Sequence, residues 1–267
     1  MDEEKTVTAV SEAVPVLEMD HVDKYFGGVH AIDDFSVKLE PGKIHGRIGP
    51  NGAGKTTIFN NITGIYAPTS GKIFFNGQDI TGFSPHRVAQ LGIGRTFQNI
   101  RLFGNLSVHD NVIIASNLDA TYGLQDTFFI TKKYKDREKY VAEKAMNLLD
   151  IVGLADKANE RANSLPYGHQ RKLEIARAMA LDPQLLLLDE PAAGMNTEES
   201  LDLVNFVRGI KEKFNITILM IEHHMDVVTG LCDHCTVLNF GKTISVGTPA
   251  EVKADPEVIK AYLGGEE

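Results

Sequence analysis

Cysteine is scarce in this 267-residue chain: Cys232 and Cys235 are the only two. A lone C-x-x-C can serve as a redox pair or half a metal site, but no second pair completes a zinc site here. The apolar stretch Thr236-Val237-Leu238-Asn239-Phe240 follows directly, so both thiols are read as core residues. So few cysteines suit a reducing cytosol. A cationic excess is lacking too: 27 Lys and Arg stand against 36 Asp and Glu, a net charge of -9. That excludes broad electrostatic binding to nucleic acid, which needs a basic surface to displace counterions. No apolar run approaches the ~20 residues of a membrane-spanning helix. Met1 to Pro15 is polar and acid-rich, without the basic start and apolar core of a secretory signal, and reads as a frayed tail. Internal repeats and low-complexity segments are missing as well. Work at a membrane would therefore go through a partner.

What is present is ordered. Phe35-Ser36-Val37-Lys38-Leu39 and Lys72-Ile73-Phe74-Phe75 read as strands, and Asn76-Gly77 after the second predicts a hairpin. The first third is thus partly antiparallel β. Val108 to Asn117 and Tyr134 to Val152 carry apolar residues at helical spacing, among them Val141, Ala145, Leu148, Leu149 and Val152. Asp119 to Leu124 is a poorly periodic connection between them. Residues 98–165 therefore read as a helical insert. Beyond it, Leu185 to Leu188 and Ile216 to Ile221 look like buried parallel strands, with a helix over Thr197 to Phe214 between them. Such alternation implies a parallel sheet covered by helices, an α/β fold.

Gly49-Pro50-Asn51-Gly52-Ala53-Gly54-Lys55-Thr56 fits the phosphate-loop pattern G-x-x-x-x-G-K-S/T at every fixed position. Its glycines let successive N–H groups face phosphate oxygens, Lys55 reaches the β- and γ-phosphates, and the Thr56 hydroxyl suits Mg²⁺. An apolar stretch ending at Ile48 precedes the loop, and a helix running on from Thr57 favours the anion at its N-terminus. Leu185-Leu186-Leu187-Leu188-Asp189-Glu190 ends an apolar run in two carboxylates. Asp189 is expected in the Mg²⁺ shell at the strand's C-terminal end, where α/β sites form. Glu190, turned away by strand alternation, is placed to polarise a water for attack on the γ-phosphate. After the next strand comes Glu222-His223-His224; His223 is the candidate γ-phosphate sensor, and His224 is read as an ordinary surface or hydrogen-bonded residue.

This order of elements resembles the ATP-binding subunits of ABC transporters over nearly the whole chain after the tail. The resemblance implies a P-loop NTPase core over residues 16–97 and 166–267, with an N-terminal antiparallel β subdomain and an inserted helical subdomain over 98–165. It places Phe26 (with Tyr25 as fallback) against adenine, Gln98 in the glutamine lid as a further Mg²⁺ ligand, and His223 as the switch histidine. Leu165-Pro166-Tyr167-Gly168-His169 matches the signature loop, which acts on a partner subunit's ATP and is followed by a helix from Gln170 to Ala180. Ala193 to Asn196 matches the dimer-contact loop. The signature departs from the family's L-S-G-G-Q at Pro166, Tyr167 and His169, and Asn196 replaces an aspartate, which bears on how tightly ATP closes the dimer. His45 and Arg47 are unexpected before the loop, where apolar residues are the rule. The stretches around Tyr167 to Met179 and Leu188 to Asn196, with Arg95-Thr96-Phe97-Gln98, Gly247-Thr248-Pro249 and Ala261 to Gly264, are similar to the ATPase subunits of branched-chain amino-acid importers. That resemblance implies an ATPase dimer, often with a second, different ATPase subunit. It also implies integral membrane permease subunits, an extracytoplasmic solute-binding protein acting indirectly, no nucleic acid, and a place on the cytoplasmic face of the membrane. A related importer for urea or short amides, a lipid exporter and a soluble non-transport ABC ATPase are the alternatives.

Overall fold

The computed structural model describes residues 14–116, 126 and 128–263. The expected tail falls largely outside them, as do Asn117, the connection Asp119 to Leu124, and Gly264. Two sheets organise the rest. The first is antiparallel, with β1 (Leu17–Phe26), β2 (Val29–Leu39), β4 (Ser70–Phe75) and β5 (Gln78–Asp79) in the order β2-β1-β4-β5. Asn76 and Gly77 both take positive φ, 48° and 77°, which is the two-residue hairpin geometry their sequence predicts.

The second sheet has six strands: β3 (Ile44–Ile48), β6 (Ile93–Arg95), β7 (Leu185–Asp189), β8 (Thr217–Ile221), β9 (His234–Asn239) and β10 (Lys242–Gly247). Their order is β10-β9-β3-β8-β7-β6, parallel throughout except for β10. Ile221 pairs with Asp189 on one side and Arg47 on the other, so β3, β7 and β8 end in one row. Whatever follows those three strands is brought together.

β3 is fully buried although its sequence is not apolar. Ile44, Gly46 and Ile48 face one core and His45 and Arg47 face the other, so the strand packs different chemistry on each side. A Cβ on Gly46 would lie 2.9 and 3.0 Å from the sulfurs of Cys232 and Cys235, so only glycine leaves room for the thiols. Both cysteines are free and buried, as core residues should be. On the opposite face the Arg47 guanidinium sits 5.4 Å from the centre of the Phe35 ring and donates to the Thr236 hydroxyl. It pairs with no carboxylate among the described residues, and burial pushes it down to about 10. Arg47 is thus housed by an aromatic face and a hydroxyl without breaking the strand.

Helices α1 (Lys55–Ile62) and α2 (Pro85–Gln90) lie in the first part of the chain. α3 (Val108–Ser116), α4 (Lys132–Ile151) and α5 (Tyr167–Met179) follow, with Val141, Ala145, Leu148, Leu149 and Val152 buried as their spacing predicts. α6 (Thr197–Phe214) starts in a capping box: Asn196 accepts from the Glu199 N–H while Glu199 accepts from the Asn196 N–H. An asparagine caps as well as an aspartate, which accounts for Asn196 locally. α7 (Met225–Leu231), α8 (Pro249–Ala254) and α9 (Pro256–Leu263) complete the chain. α5 begins at Tyr167, three residues before the expected Gln170. Pro166 occupies its N-cap position, and a residue without an N–H costs a helix nothing there. Tyr167, Gly168 and His169 are therefore the first turn of a helix, not a loop before one.

Candidate nucleotide site

The phosphate loop leaves β3 at Ile48 and feeds α1. Its backbone excludes side chains at two points. Gly49 has φ 148°, and a Cβ there would meet the Leu238 carbonyl oxygen at 2.2 Å. Gly54 has φ 99°, with the Ala31 carbonyl 2.5 Å from where its Cβ would be. The second contact docks the loop on β2, two residues beyond Val29, the pairing partner of Phe26. Phe26 is exposed at this end of the sheet with its ring 5.1 Å from Tyr66, edge to face, and Lys24 5.0 Å above it. Tyr25 instead stacks one face on His30 at 3.9 Å. Both rings are exposed at this end of the sheet, and each has a neighbour against it, so the geometry leaves both open to a purine.

Lys55 folds back over the loop, donating to the carbonyls of Gly49 at 2.5 Å and Pro50 at 2.9 Å. Burial pushes its ammonium below the usual lysine range, against the opposing pull of Glu190 and Asp189. Both carboxylates thus act on the cation electrostatically, as a shared site requires. Thr56 and Thr57 follow Lys55 in the first turn of α1, with Thr56 exposed; Asn51 and Gly52 are exposed in the loop, and Ala53 is buried.

Asp189 is buried and paired with Arg95 at 2.9 Å, and Arg95 also donates to Asn60 and Thr63 of the α1 segment. Glu190 does diverge from Asp189, but by a different cause than strand alternation. β7 stops at Asp189 and Glu190 sits at φ 45°, in the left-handed region that non-glycine residues rarely occupy. There its Oε2 accepts from Gln98 Nε2 at 2.7 Å and lies 3.7 Å from His223 Nδ1. Residues 92 and 33 positions away thus converge on one carboxylate oxygen. A hydroxyl, a carboxylate and an amide oxygen are the hard-oxygen donors that Mg²⁺ prefers, so Thr56, Asp189 and Gln98 fit that ion chemically.

The residues matched to the signature, Leu165 to His169, are tied to this cluster through the loop after Glu190. Leu165 is buried and Pro166 and Tyr167 are exposed. The Tyr167 hydroxyl donates to the Ala193 carbonyl at 3.0 Å and receives Arg171 at 3.1 Å, tying the helix start to the loop after Glu190. Gly168 and His169, in the same turn, help line a cavity of about 230 Å³ with Met195 of that loop.

Sequence reading passed over several residues. Arg171 and Glu174 form a fully buried pair at 2.8 Å that grips the glutamine-lid backbone. Arg171 donates to the carbonyls of Phe97 and Gln98, and Glu174 accepts from the N–H groups of Phe97 and Arg101. Arg95, the partner of Asp189, is another. Tyr262, in α9, follows Lys260 and Ala261, which line a cleft with Pro50 and Asn51, and burial pushes its phenol above the usual range against an opposing effect of the Gly49 backbone. The visible signal in the first case is two charges inside the apolar pattern of α5.

Comparison with known proteins bears on all of this. A family model described as ABC transporter matches residues 32–193, which span the phosphate loop, the insert and both carboxylates. The chain belongs to the ABC transporter ATP-binding family. It is an ATPase of that family with an α/β P-loop fold. A second model, described as branched-chain amino acid ATP-binding cassette transporter, matches residues 242–267, where Tyr262 lies. The high-affinity branched-chain amino acid transport ATP-binding protein BraF of Pseudomonas aeruginosa is 41% identical over 94% of this chain and 98% of its own length. LivG of Escherichia coli K12, which carries the same description, is 40% identical with the same coverage. Among solved structures, the ADP conformation of an ATP-binding cassette of an ABC transporter superposes with a TM-score of 0.82 at 32% identity, covering 94% of this chain and 99% of that one. Among the described residues no helix is long and apolar enough to cross a membrane.

Proposed function

We propose that this chain is the ATP-hydrolysing subunit of an importer of branched-chain amino acids, bound at the cytoplasmic face of the membrane through permease subunits. The convergence of Gln98 and His223 on Glu190, beside a glycine-built phosphate loop, carries the hydrolytic part. Similarity to the branched-chain relatives along almost the whole chain, and in the C-terminal segment separately, supports the solute class.

In this reading Phe26 stacks on adenine and residues 49–57 hold the phosphates, with Lys55 exchanging its loop carbonyls for phosphate oxygens. Thr56, Asp189 and Gln98 would hold Mg²⁺, whose charge would offset that of the phosphates. Arg95 holds Asp189 in place. Glu190 orients and deprotonates the attacking water, and His223 holds the γ-phosphate end. The catalytic contribution is positioning and charge compensation. The site is completed across an ATPase dimer by the partner's first turn of α5, where Pro166 offers no donor and the amides beyond it face the phosphate. Residues 98–165 form the helical subdomain that moves with closure.

Glu190→Gln should abolish turnover and spare ATP binding; unchanged hydrolysis would remove Glu190 from its role. Purification from native membranes in gentle detergent should recover two multispanning proteins and a second ATPase. Recovery without any membrane protein would end the transport reading and leave the ATPase chemistry standing.

A further inference from the structure

Glu222 follows the last residue of β8 and is fully buried, at 0% exposure. A buried carboxylate costs several kcal/mol unless its lone pairs are satisfied. Here they are, and the division between the two oxygens is informative. Oε1 accepts from the Ala192 N–H at 3.0 Å. Oε2 accepts from the N–H groups of His223 at 2.8 Å and His224 at 3.1 Å. The His224 ring adds Nδ1 at 3.1 Å from Oε2, donating in the tautomer that carries its proton there. Ala192 stands two residues beyond Glu190, and His223 follows Glu222 directly. One oxygen therefore holds the loop that carries the catalytic carboxylate, and the other holds the loop that carries the switch histidine.

A group meant only to fill this volume would be apolar, and β8 supplies four such residues in a row before it, Ile218 to Ile221. An amide would not serve either. Every neighbour named is a donor, and only a carboxylate is acceptor on both arms; the NH₂ of glutamine would face an N–H on one loop. The backbone of Glu222 is anchored separately, its N–H donating to the Arg47 carbonyl at 3.2 Å, so the clamp is referred to the central strand next to the phosphate loop.

We propose that Glu222 is a positioning residue for ATP hydrolysis: its two carboxylate oxygens clamp the Ala192 and His223–His224 backbones and so set the gap between Glu190 and His223. The proposal rests on the roles given above to Glu190 and His223. It makes the 3.7 Å separation between His223 Nδ1 and Glu190 Oε2 a property of Glu222, not of either residue alone.

The test is steady-state ATPase kinetics with nucleotide binding measured in parallel. Glu222→Gln keeps the volume and frees one loop, and should lower kcat roughly tenfold to a hundredfold, the cost of a displacement of about an ångström in a catalytic group. ATP affinity should stay unchanged, since the phosphate loop is untouched. His223→Ala should lower kcat on its own, and the loss in the double variant Glu222→Gln/His223→Ala should fall short of the product of the two single losses, because part of what Glu222 does is done through His223. Multiplicative losses in the double variant, or wild-type kcat in Glu222→Gln, overturn the proposal. A His223→Ala protein with wild-type turnover removes the assignment of His223 and the proposal with it; a normal His223→Ala defect with multiplicative losses removes the proposal alone. Should Glu222→Gln fail to fold, His224→Phe takes its place, because the His224 ring is partly exposed and supplies one of the donors to Oε2. It should cost several-fold in kcat at constant ATP affinity, and wild-type kcat there is an overturning result as well.

Discussion

Replacing Arg171 with methionine tests the buried grip on the glutamine lid. The Arg171 and Glu174 side chains are 0% and 1% exposed, so the surviving carboxylate has no water to turn to. Removing one partner of such a pair costs about 3–5 kcal/mol, because the other charge is left buried. Glu174 keeps two backbone donors, Phe97 N at 3.2 Å and Arg101 N at 3.3 Å, both long. They soften the loss little, so about 4 kcal/mol is expected, or roughly a 10 °C fall in Tm for a chain of this size. Glu174→Met should cost a similar amount. Arg171→Met/Glu174→Met removes both charges at nearly constant volume and should return to within about 2 kcal/mol of the parent. The residue reflects backbone groups at Phe97, Gln98 and Arg101 that must find water. Thermal unfolding of the four proteins gives the coupling, expected to exceed about 3 kcal/mol. Turnover should not return with stability, since Gln98 is no longer tethered while its Glu190 contact depends on that tether. Strictly additive costs, single losses below about 1 kcal/mol, or a double variant with normal kcat would each refute the reasoning.

Other expectations are shorter to state. His45 is pushed down to about 4 by burial, with the Arg47 charge adding, against an ordinary 6.5. A histidine lowered on folding weakens the fold as pH drops, because the unfolded chain takes up a proton first; the loss accrues from about pH 6.5 to about pH 4 and approaches about 3 kcal/mol. His45→Gln should flatten that limb of a stability–pH curve, and an unchanged limb would place the acid sensitivity elsewhere. Gly46→Ala should destabilise by about 1–3 kcal/mol through overpacking, with Cys232→Ala in the same chain recovering part of it; thermal melts decide, and no recovery would mean the sulfurs are not what the methyl meets. Gly54→Ala should abolish ATP binding in a fluorescent-nucleotide assay, since both its φ and the Ala31 carbonyl forbid a side chain. Tyr167→Phe loses two hydrogen bonds at the start of α5 and should cost about 1–2 kcal/mol in stability, measurable by urea unfolding.

The features legible in the sequence are those that constrain the backbone locally. Gly49 to Thr56 must curl, Asn76-Gly77 must turn, and the four leucines before Asp189 must lie in a buried strand. The period through Val141 to Val152 must bury one face of a helix. The divergence of Glu190 was legible in outcome and not in cause, because a left-handed residue after a strand leaves no compositional trace when it is a glutamate. The early start of α5 was hidden by Pro166, which reads as a loop residue although a helix cap tolerates it. β3 defeated the apolar-strand expectation because its two faces meet different partners, sulfurs on one side and Phe35 with Thr236 on the other. The partners of the buried charges were the least legible part, since Arg95 and Asp189 stand 94 positions apart and Arg171 and Phe97 stand 74 apart. Spacing cannot name such partners, but it does mark the charges. Glu174 is enclosed by Leu173, Ile175 and Ala176, and Glu222 prolongs the apolar run from Ile216 to Ile221. A charge that interrupts or extends a buried apolar pattern must be satisfied internally, because the surrounding residues deny it water. In this chain those charges hold the Phe97–Arg101 and His223–His224 backbones, so the same local anomaly that spoils a burial pattern also points to what positions the candidate site.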